Sequence, residues 1–125
     1  MELKLSVLNT SDIPIYQQLY DQIAAQIIRG ELVGGCCLPP IRTIASELGI
    51  SVITIKRAWE ELERDRFITT MVGRGCFVIE LTPDELARKR DTLALQRFSK
   101  EIPLFRSLGL SKNDLVSLID RFYIG

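Results

Sequence analysis

The sequence predicts a mainly α-helical protein with one small β-hairpin. Three observations support this fold class. Apolar residues recur at helical spacing in three segments between residues 14 and 65, and the period then changes to alternation on either side of a Gly-Arg-Gly tip. Helical spacing returns after residue 81. The 125 residues suit one domain with a small appendage, and 46% hydrophobic with 26% charged residues is typical of a soluble globular protein.

The first helix is predicted within SDIPIYQQLYDQIAAQIIRGEL. Asp12 or Ile13 can cap it, Pro14 suits its first turn, and Gly30 is predicted to end it. Its apolar stripe comprises Tyr16, Leu19, Tyr20, Ile23 and Ile27. The preceding MELKLSVLN alternates and is expected to form an edge strand.

Two short helices follow the turn-rich linker VGGCCLPP. Pro40 opens the second helix, Gly49 ends it in the left-handed conformation, and Ser51 is a natural N-cap for the third. The third helix buries a stripe comprising Ile55, Ala58, Trp59 and Leu62, so Trp59 is a core residue and not a base-stacking one. FITTMVGRGCFVIEL then predicts two antiparallel strands, and three helices before a hairpin indicate a winged helix-turn-helix in residues 1–80.

Residues 81–125 are predicted to form a helical segment. Thr82 and Glu85 make a capping box, the apolar face breaks near Pro103, and Ser111 with Asp114 starts a last helix. This segment is too small for its own core, so it should pack on the first domain or on a second copy. We expect a homodimer through these C-terminal helices. The predicted dimerisation residues are Leu86, Leu93, Phe98, Leu115, Leu118, Ile119 and Phe122.

The residue content argues against an enzyme. There is no histidine, which excludes a Ser-His-Asp triad and His-bearing zinc sites, and no phosphate loop or spaced carboxylate pair is present. Cys36, Cys37 and Cys76 are odd in number and lack a C-x-x-C, so we expect a reducing cytoplasm, no metal and no cofactor. No apolar run approaches the roughly 18 residues of a membrane helix.

The net charge of +0 gives no support for a nucleic-acid partner, so that case rests on where the charges lie. In LGISVITIKRAWEELERD, the donors Ser51, Thr54, Lys56 and Arg57 lie in the first two turns of the third helix, and the acidic residues lie farther along. The second helix of a helix-turn-helix enters the major groove with its N-terminal residues against bases and phosphates. The charge separation therefore indicates a binding geometry.

An ordinary surface helix is the alternative. Lys56 with Glu60, and Arg57 with Glu61, are spaced for i,i+4 ion pairs of about 0.2–0.5 kcal/mol each. Two further basic residues count against the interpretation of the third helix as an ordinary surface helix. Arg42 lies near the start of the second helix, and Arg74 lies between two glycines at the hairpin tip, where a narrow minor groove attracts arginine.

Three ordered motifs carry a family resemblance. PIYQQLYDQIAAQIIRGEL, LPPIRTIASELGISVITIKRAWEELERDRFI and GRGCFV resemble the DNA-binding domain of GntR-type bacterial transcription regulators, and the short two-helix tail is similar to the YtrA subfamily. The resemblance implies DNA contacts from Arg42, the recognition helix and the wing tip. The predicted DNA-binding residues are Arg42, Ser51, Val52, Thr54, Lys56, Arg57, Gly73, Arg74 and Gly75.

The chain departs from the family pattern at two positions. Val52 and Ile53 stand where many members carry arginine and a polar residue. An apolar side chain cannot donate to guanine but can pack on a thymine methyl group, so direct readout is weaker or differently directed here.

The sequence therefore predicts a dimeric DNA-binding transcription regulator, a repressor that reads an inverted-repeat operator with half-sites about 34–36 Å apart. A winged-helix protein-interaction module that does not bind DNA is the alternative. A small-molecule effector would have to bind in the tail or between domains, and no polar cluster identifies one. The resemblance to YtrA-type proteins implies control of a neighbouring membrane-transport operon.

Overall fold

The computed structural model describes residues 3–124 and confirms the predicted fold class, a mainly α-helical protein with a two-stranded hairpin. The described chain divides into two compact units, 3–87 and 88–124. The elements are α1 (Ile15–Ile28), α2 (Ile41–Leu48), α3 (Val52–Arg64), β1 (Ile68–Met71), β2 (Gly75–Val78), α4 (Pro83–Ser107) and α5 (Lys112–Tyr123). Within the described residues, no helix has the length and apolar character needed to cross a membrane.

The start of α1 differs from the prediction. Pro14 is the N-cap itself, with an extended ψ of 146°, and no side chain caps the helix. The expected cap from Asp12 or Ile13 was therefore wrong, because the fixed φ of Pro14 lets its carbonyl accept the amides of Gln17 and Gln18, at 3.0 Å each. At the other end, Gly30 has a φ of +80°, which confirms it as the stop.

Residues 3–9 of the N-terminal segment do not form an edge strand, so this prediction was also wrong there, and Met1 and Glu2 lie outside the described residues. Residues 3–8 instead lie along α1, where three glutamine side chains bond to their backbone. The Nε2 of Gln26 donates to the Lys4 carbonyl at 2.7 Å, and the Nε2 of Gln22 donates to the Ser6 carbonyl at 2.6 Å. Gln18 accepts from the Leu8 amide at 2.8 Å. A primary amide has one acceptor oxygen and two donor hydrogens. Each glutamine side chain can therefore form the two backbone hydrogen bonds that a residue of a neighbouring strand would form.

The core of the first unit lies among α1, α2, α3 and β1, and Trp59 is buried in it as predicted. Its largest fully buried side chains are Leu19, Ile23, Ile55, Leu62, Phe67 and Ile68. Tyr20 packs edge-to-face on Phe67 with ring centroids 6.1 Å apart. Its hydroxyl donates to Asp65 Oδ2 at 2.5 Å. Burial, the larger cause, and this hydrogen bond, the second cause, raise the pKa of the Tyr20 phenol. The bond also joins α1 to the end of α3.

The turn between α2 and α3 depends on Gly49, as predicted. Gly49 ends α2 with φ 66° and ψ 36°, in the left-handed region. A side chain there costs about 1 kcal/mol or more, because Cβ crowds the following carbonyl oxygen.

We expect Gly49→Ala to lower the free energy of unfolding by about 1 kcal/mol, because the space around Gly49 is open and only the backbone is strained. Urea unfolding followed by circular dichroism measures this. Gly49→Asn is the matched control and should lose less, since asparagine tolerates this conformation. Equal stability of the glycine and alanine proteins would contradict the assignment.

The hairpin forms as predicted, and the linker before α2 extends it. Ile68 pairs with Val78 and Met71 with Gly75 in the antiparallel register. The linker then runs beside β2: the Val78 amide donates to the Cys36 carbonyl, and the Leu38 amide donates to the Cys76 carbonyl, both at 2.9 Å. We call residues 35–38 the linker strand.

In the second part of the chain, both predicted caps are confirmed. Thr82 and Glu85 cap α4 reciprocally, and Ser111 with Asp114 forms a capping box on α5. The bond from the Ser111 backbone amide lowers the pKa of the Asp114 carboxyl. The expected break near Pro103 was wrong, since α4 continues through it to Ser107. An interior proline loses one hydrogen bond and its ring crowds the preceding turn, but here the turns on either side continue.

Candidate nucleic-acid interface

The N-terminal end of α3 is capped by a serine side chain. Ser51 is the N-cap, and its Oγ accepts the Thr54 amide at 3.2 Å. The two hydroxyl oxygens lie 2.8 Å apart, so one hydroxyl hydrogen is used between them and the other is available to a partner. The first turn of α3 contains no acidic residue. The partial positive charge of this helix end is therefore not neutralised, which favours a phosphate.

One face of α3 is fixed against the core, and the opposite face is bare. Ile55, Ala58, Trp59 and Leu62 are buried as predicted. At the front, Val52 is 44% exposed and Ile53 is 80% exposed. Lys56 is also exposed. The side chains that α3 offers at its start are thus two aliphatic groups, one ammonium group and one hydroxyl pair.

Arg57 is directed back toward α1. Its guanidinium lies over the ring of Tyr16, 3.7 Å from the centroid, and its Nε lies 3.4 Å from Glu61 Oε2. This is the i,i+4 pair of the alternative interpretation. The other pair, between Lys56 and Glu60, is not formed in the structure that spans residues 3–124. Arg57 therefore has partners within the fold, whereas the charge of Lys56 remains available.

The acidic half of α3 serves the fold. Glu63 Oε2 accepts the Thr70 amide of β1 at 2.7 Å, and Asp65 accepts from Tyr20. Glu61 lies between Arg57 and Arg64. Sequence reasoning did not find the bond from Glu63, which joins the recognition helix to the wing. Nothing in the spacing of the sequence signals it, because it depends on the tertiary position of β1.

The wing tip is a tight turn with an exposed arginine. Gly73 and Gly75 have φ of +77° and +115°, and the Arg74 amide donates to the Met71 carbonyl at 2.9 Å. Glycine adopts these angles without strain. Arg74 and the neighbouring Val72 are exposed.

Arg42 lies in the first turn of α2 and is exposed. Across the part of the chain that the structure describes, Arg42, Lys56 and Arg74 form no ion pair. Three consecutive parts of the helix-turn-helix and wing, namely α2, α3 and the hairpin tip, thus each present a cation to solvent.

The predicted dimerisation residues fall into two groups. Leu86 belongs to the first unit, where it lines an apolar recess with Ile27, Leu32 and Val78. The others belong to the second unit, in which no residue of α5 is buried. An apolar groove of about 210 Å³ there is lined by Phe98, Phe105, Leu115, Leu118, Ile119 and Phe122.

Comparisons with known proteins agree with this arrangement. The model of the family described as "Bacterial regulatory proteins, gntR family" matches residues 15–78. The HTH-type transcriptional regulator YhcF of Bacillus subtilis is 35% identical over 114 residues, which cover 90% of this chain and 92% of YhcF. The HTH-type transcriptional repressor YtrA of the same organism is 29% identical over 92 residues, which cover 74% of this chain and 71% of YtrA.

Several solved structures match the chain over most of its length. YtrA from Sulfolobus acidocaldarius, a GntR-family transcription factor, superimposes with a TM-score of 0.59 at 30% identity. The match covers 94% of this chain and 95% of that one.

Proposed function

The chain belongs to the GntR family of bacterial regulatory proteins and is YtrA-like, and on this premise we propose that it is a repressor that binds an inverted-repeat DNA operator as a homodimer. The coarser assignment follows from the family: the protein is a DNA-binding transcription regulator and not an enzyme. The proposal places it in the cytoplasm, where bacterial DNA lies. The repressor function is supported by the similarity to YtrA of Bacillus subtilis, an HTH-type transcriptional repressor.

One observation supports the proposed DNA-binding surface. Arg42, Lys56 and Arg74 are exposed, and they form no ion pair with residues 3–124. The partial positive charge at the start of α3, which no acidic residue of its first turn neutralises, adds to them. In a helix-turn-helix complex, α3 enters the major groove and the wing reaches the adjacent minor groove. A chain with no net charge can bind DNA in this way, because affinity depends on the phosphates neutralised locally.

The homodimer is supported by the apolar surface of the second unit. Phe98, Ile119 and Phe122 are more than two-fifths exposed although they line one apolar groove. A second copy of the same groove would cover them by two-fold symmetry. Two copies would also double every phosphate contact, which offsets the small number of free cations in each subunit.

A selection from random duplex DNA with the purified full-length protein tests the proposal. We expect enriched sequences to share an inverted repeat whose half-sites lie about 34–36 Å apart, one helical turn. Enrichment of a single unrepeated site would contradict the dimer. If nothing is enriched, the winged-helix protein-interaction module, which does not bind DNA, becomes the better assignment.

Lys56 is expected to contact the phosphate backbone. Lys56→Ala should weaken binding to the selected duplex and to random duplex DNA alike, because a phosphate contact carries no sequence information. The slope of log K against log salt should fall by about 0.9 for each lost contact, as fewer counterions are released. Titrations at several salt concentrations measure this. Lys112→Ala, at an exposed lysine of α5, is the control. An unchanged slope would remove Lys56 from the backbone contacts.

A further inference from the structure

The front of α3 exposes aliphatic side chains that the fold does not use. Ile53 is 80% exposed and Val52 is 44% exposed, in the first turn of the helix. Both are β-branched, so they form helices less readily than alanine or the long polar residues. Neither helix propensity nor core packing explains them, whereas Ile55, two residues farther on, is fully buried. Their position is explained if they contact a partner.

The polar groups beside them are partly engaged. One hydroxyl hydrogen of the Ser51–Thr54 pair is used within the pair, and the Arg57 guanidinium lies over Tyr16 and near Glu61. Arg57 would have to leave both partners to form the bidentate contact to guanine that gives the commonest specific readout. Apart from Lys56, the first turns of α3 therefore offer mainly apolar surface to a base pair.

The major groove presents one apolar group, the C5-methyl of thymine. We propose that Val52 and Ile53 determine specificity by packing on thymine methyl groups, so that each half-site is read through thymine and not through guanine at the positions under the start of α3. This inference rests on the proposed function. The exposed cations Lys56 and Arg42 favour DNA over a protein as the occupant of this surface, because they lie on the same α3 start and on the preceding helix.

Deoxyuracil substitution in the selected duplex tests the proposal with the unaltered protein. Deoxyuracil removes only the methyl group and keeps every hydrogen-bonding atom of thymine. Each thymine is replaced in turn, in one half-site and then in both. At the contacted positions we expect an approximately fourfold loss of affinity per methyl, as for one apolar carbon removed from water, and about fifteenfold when both half-sites change.

A variant then assigns the effect to a side chain. Ile53→Ala should bind the thymine and deoxyuracil duplexes equally at one contacted position, and Val52→Ala should do so at a neighbouring one. Leu8→Ala, the loss of another exposed aliphatic side chain outside α3, should retain the discrimination. Circular dichroism of each variant should match that of the unaltered protein.

The outcomes separate the two proposals. A selected inverted repeat whose affinity is insensitive to deoxyuracil at every position would overturn the methyl readout and leave the proposed function intact. Discrimination that persists in both Ile53→Ala and Val52→Ala would overturn the assignment to these side chains. A selection without any inverted repeat would overturn the proposed function, and this inference with it.

Discussion

Phe122→Glu is expected to convert the protein from a dimer into a monomer and to weaken its binding to a two-half-site operator by about 10²–10⁴-fold. Phe122 is 87% exposed in the single chain although it lines the apolar groove of the second unit. A carboxylate there meets water in the monomer, but it would have to be desolvated without a partner in the proposed dimer. In a dimer, binding of one half-site holds the second subunit at a high effective concentration beside the other half-site, and a monomer lacks this advantage.

Analytical ultracentrifugation and fluorescence anisotropy measure the two effects. Affinity for a duplex with a single half-site should be unchanged, because the first unit is not altered. Ser117→Glu introduces the same charge on α5, on the side away from the groove-lining residues, and should remain dimeric. A dimeric Phe122→Glu protein would show that the subunits associate elsewhere.

Ile55→Ala is expected to have the largest effect on stability. Ile55 is fully buried on the face of α3 that packs into the core. Truncating such a residue costs about 2–5 kcal/mol, from the lost apolar burial and the cavity that remains. Domains of this size are stable by only about 5–15 kcal/mol, so this is a large share. The recognition helix would lose its support, and DNA binding would fall with the folded fraction.

Urea unfolding followed by circular dichroism measures this loss. Ile55→Val is the matched control, since it removes one methyl group and should cost about 0.5–1.5 kcal/mol. Ile53→Ala makes the same substitution two residues earlier, at an exposed position, and should change stability by about 0.5 kcal/mol or less. If Ile55→Ala were no less stable than Ile53→Ala, the burial of α3 described above would be wrong.

The sequence predicted the helices and the hairpin because their signals are local. Ser51 and Ser111 cap helices through bonds to residues three positions away, and Gly49 adopts an angle that other residues avoid. The alternation around Arg74 likewise depends only on neighbours. Such features follow from spacing and residue type alone.

The predictions that were wrong concern segments whose structure depends on more than the local sequence pattern. MELKLSVLN alternates like a strand, but Gln18, Gln22 and Gln26 bond its backbone to α1 across 10 to 22 residues of sequence. Three glutamines four residues apart on one helix face were the signal that could have indicated this contact. Pro103 was expected to end an apolar face, but the 25-residue helix α4 continues through it despite the lost hydrogen bond and the crowding of its ring.

The candidate site was predicted in part. The exposed cations Arg42, Lys56 and Arg74 lie on the elements that the sequence assigned to them. Of the two partners of Arg57, the sequence spacing indicated only Glu61, four residues along the same helix. The contact with Tyr16 was not foreseen, because it joins α1 to α3. The predicted set of DNA-binding residues and the division at residue 80 remain predictions.

The linker strand has a consequence for how the protein meets a duplex. Its Leu38 amide is bonded to β2 at Cys76, two residues from the arginine at the hairpin tip, and Arg42 follows four residues after Leu38. A displacement of the hairpin is therefore transmitted through one short, proline-stiffened piece of backbone to the beginning of α2. Engagement of the minor groove and of the phosphates beside α2 should accordingly occur as a single cooperative step, and changes to the two arginines should not be additive in their effect on affinity.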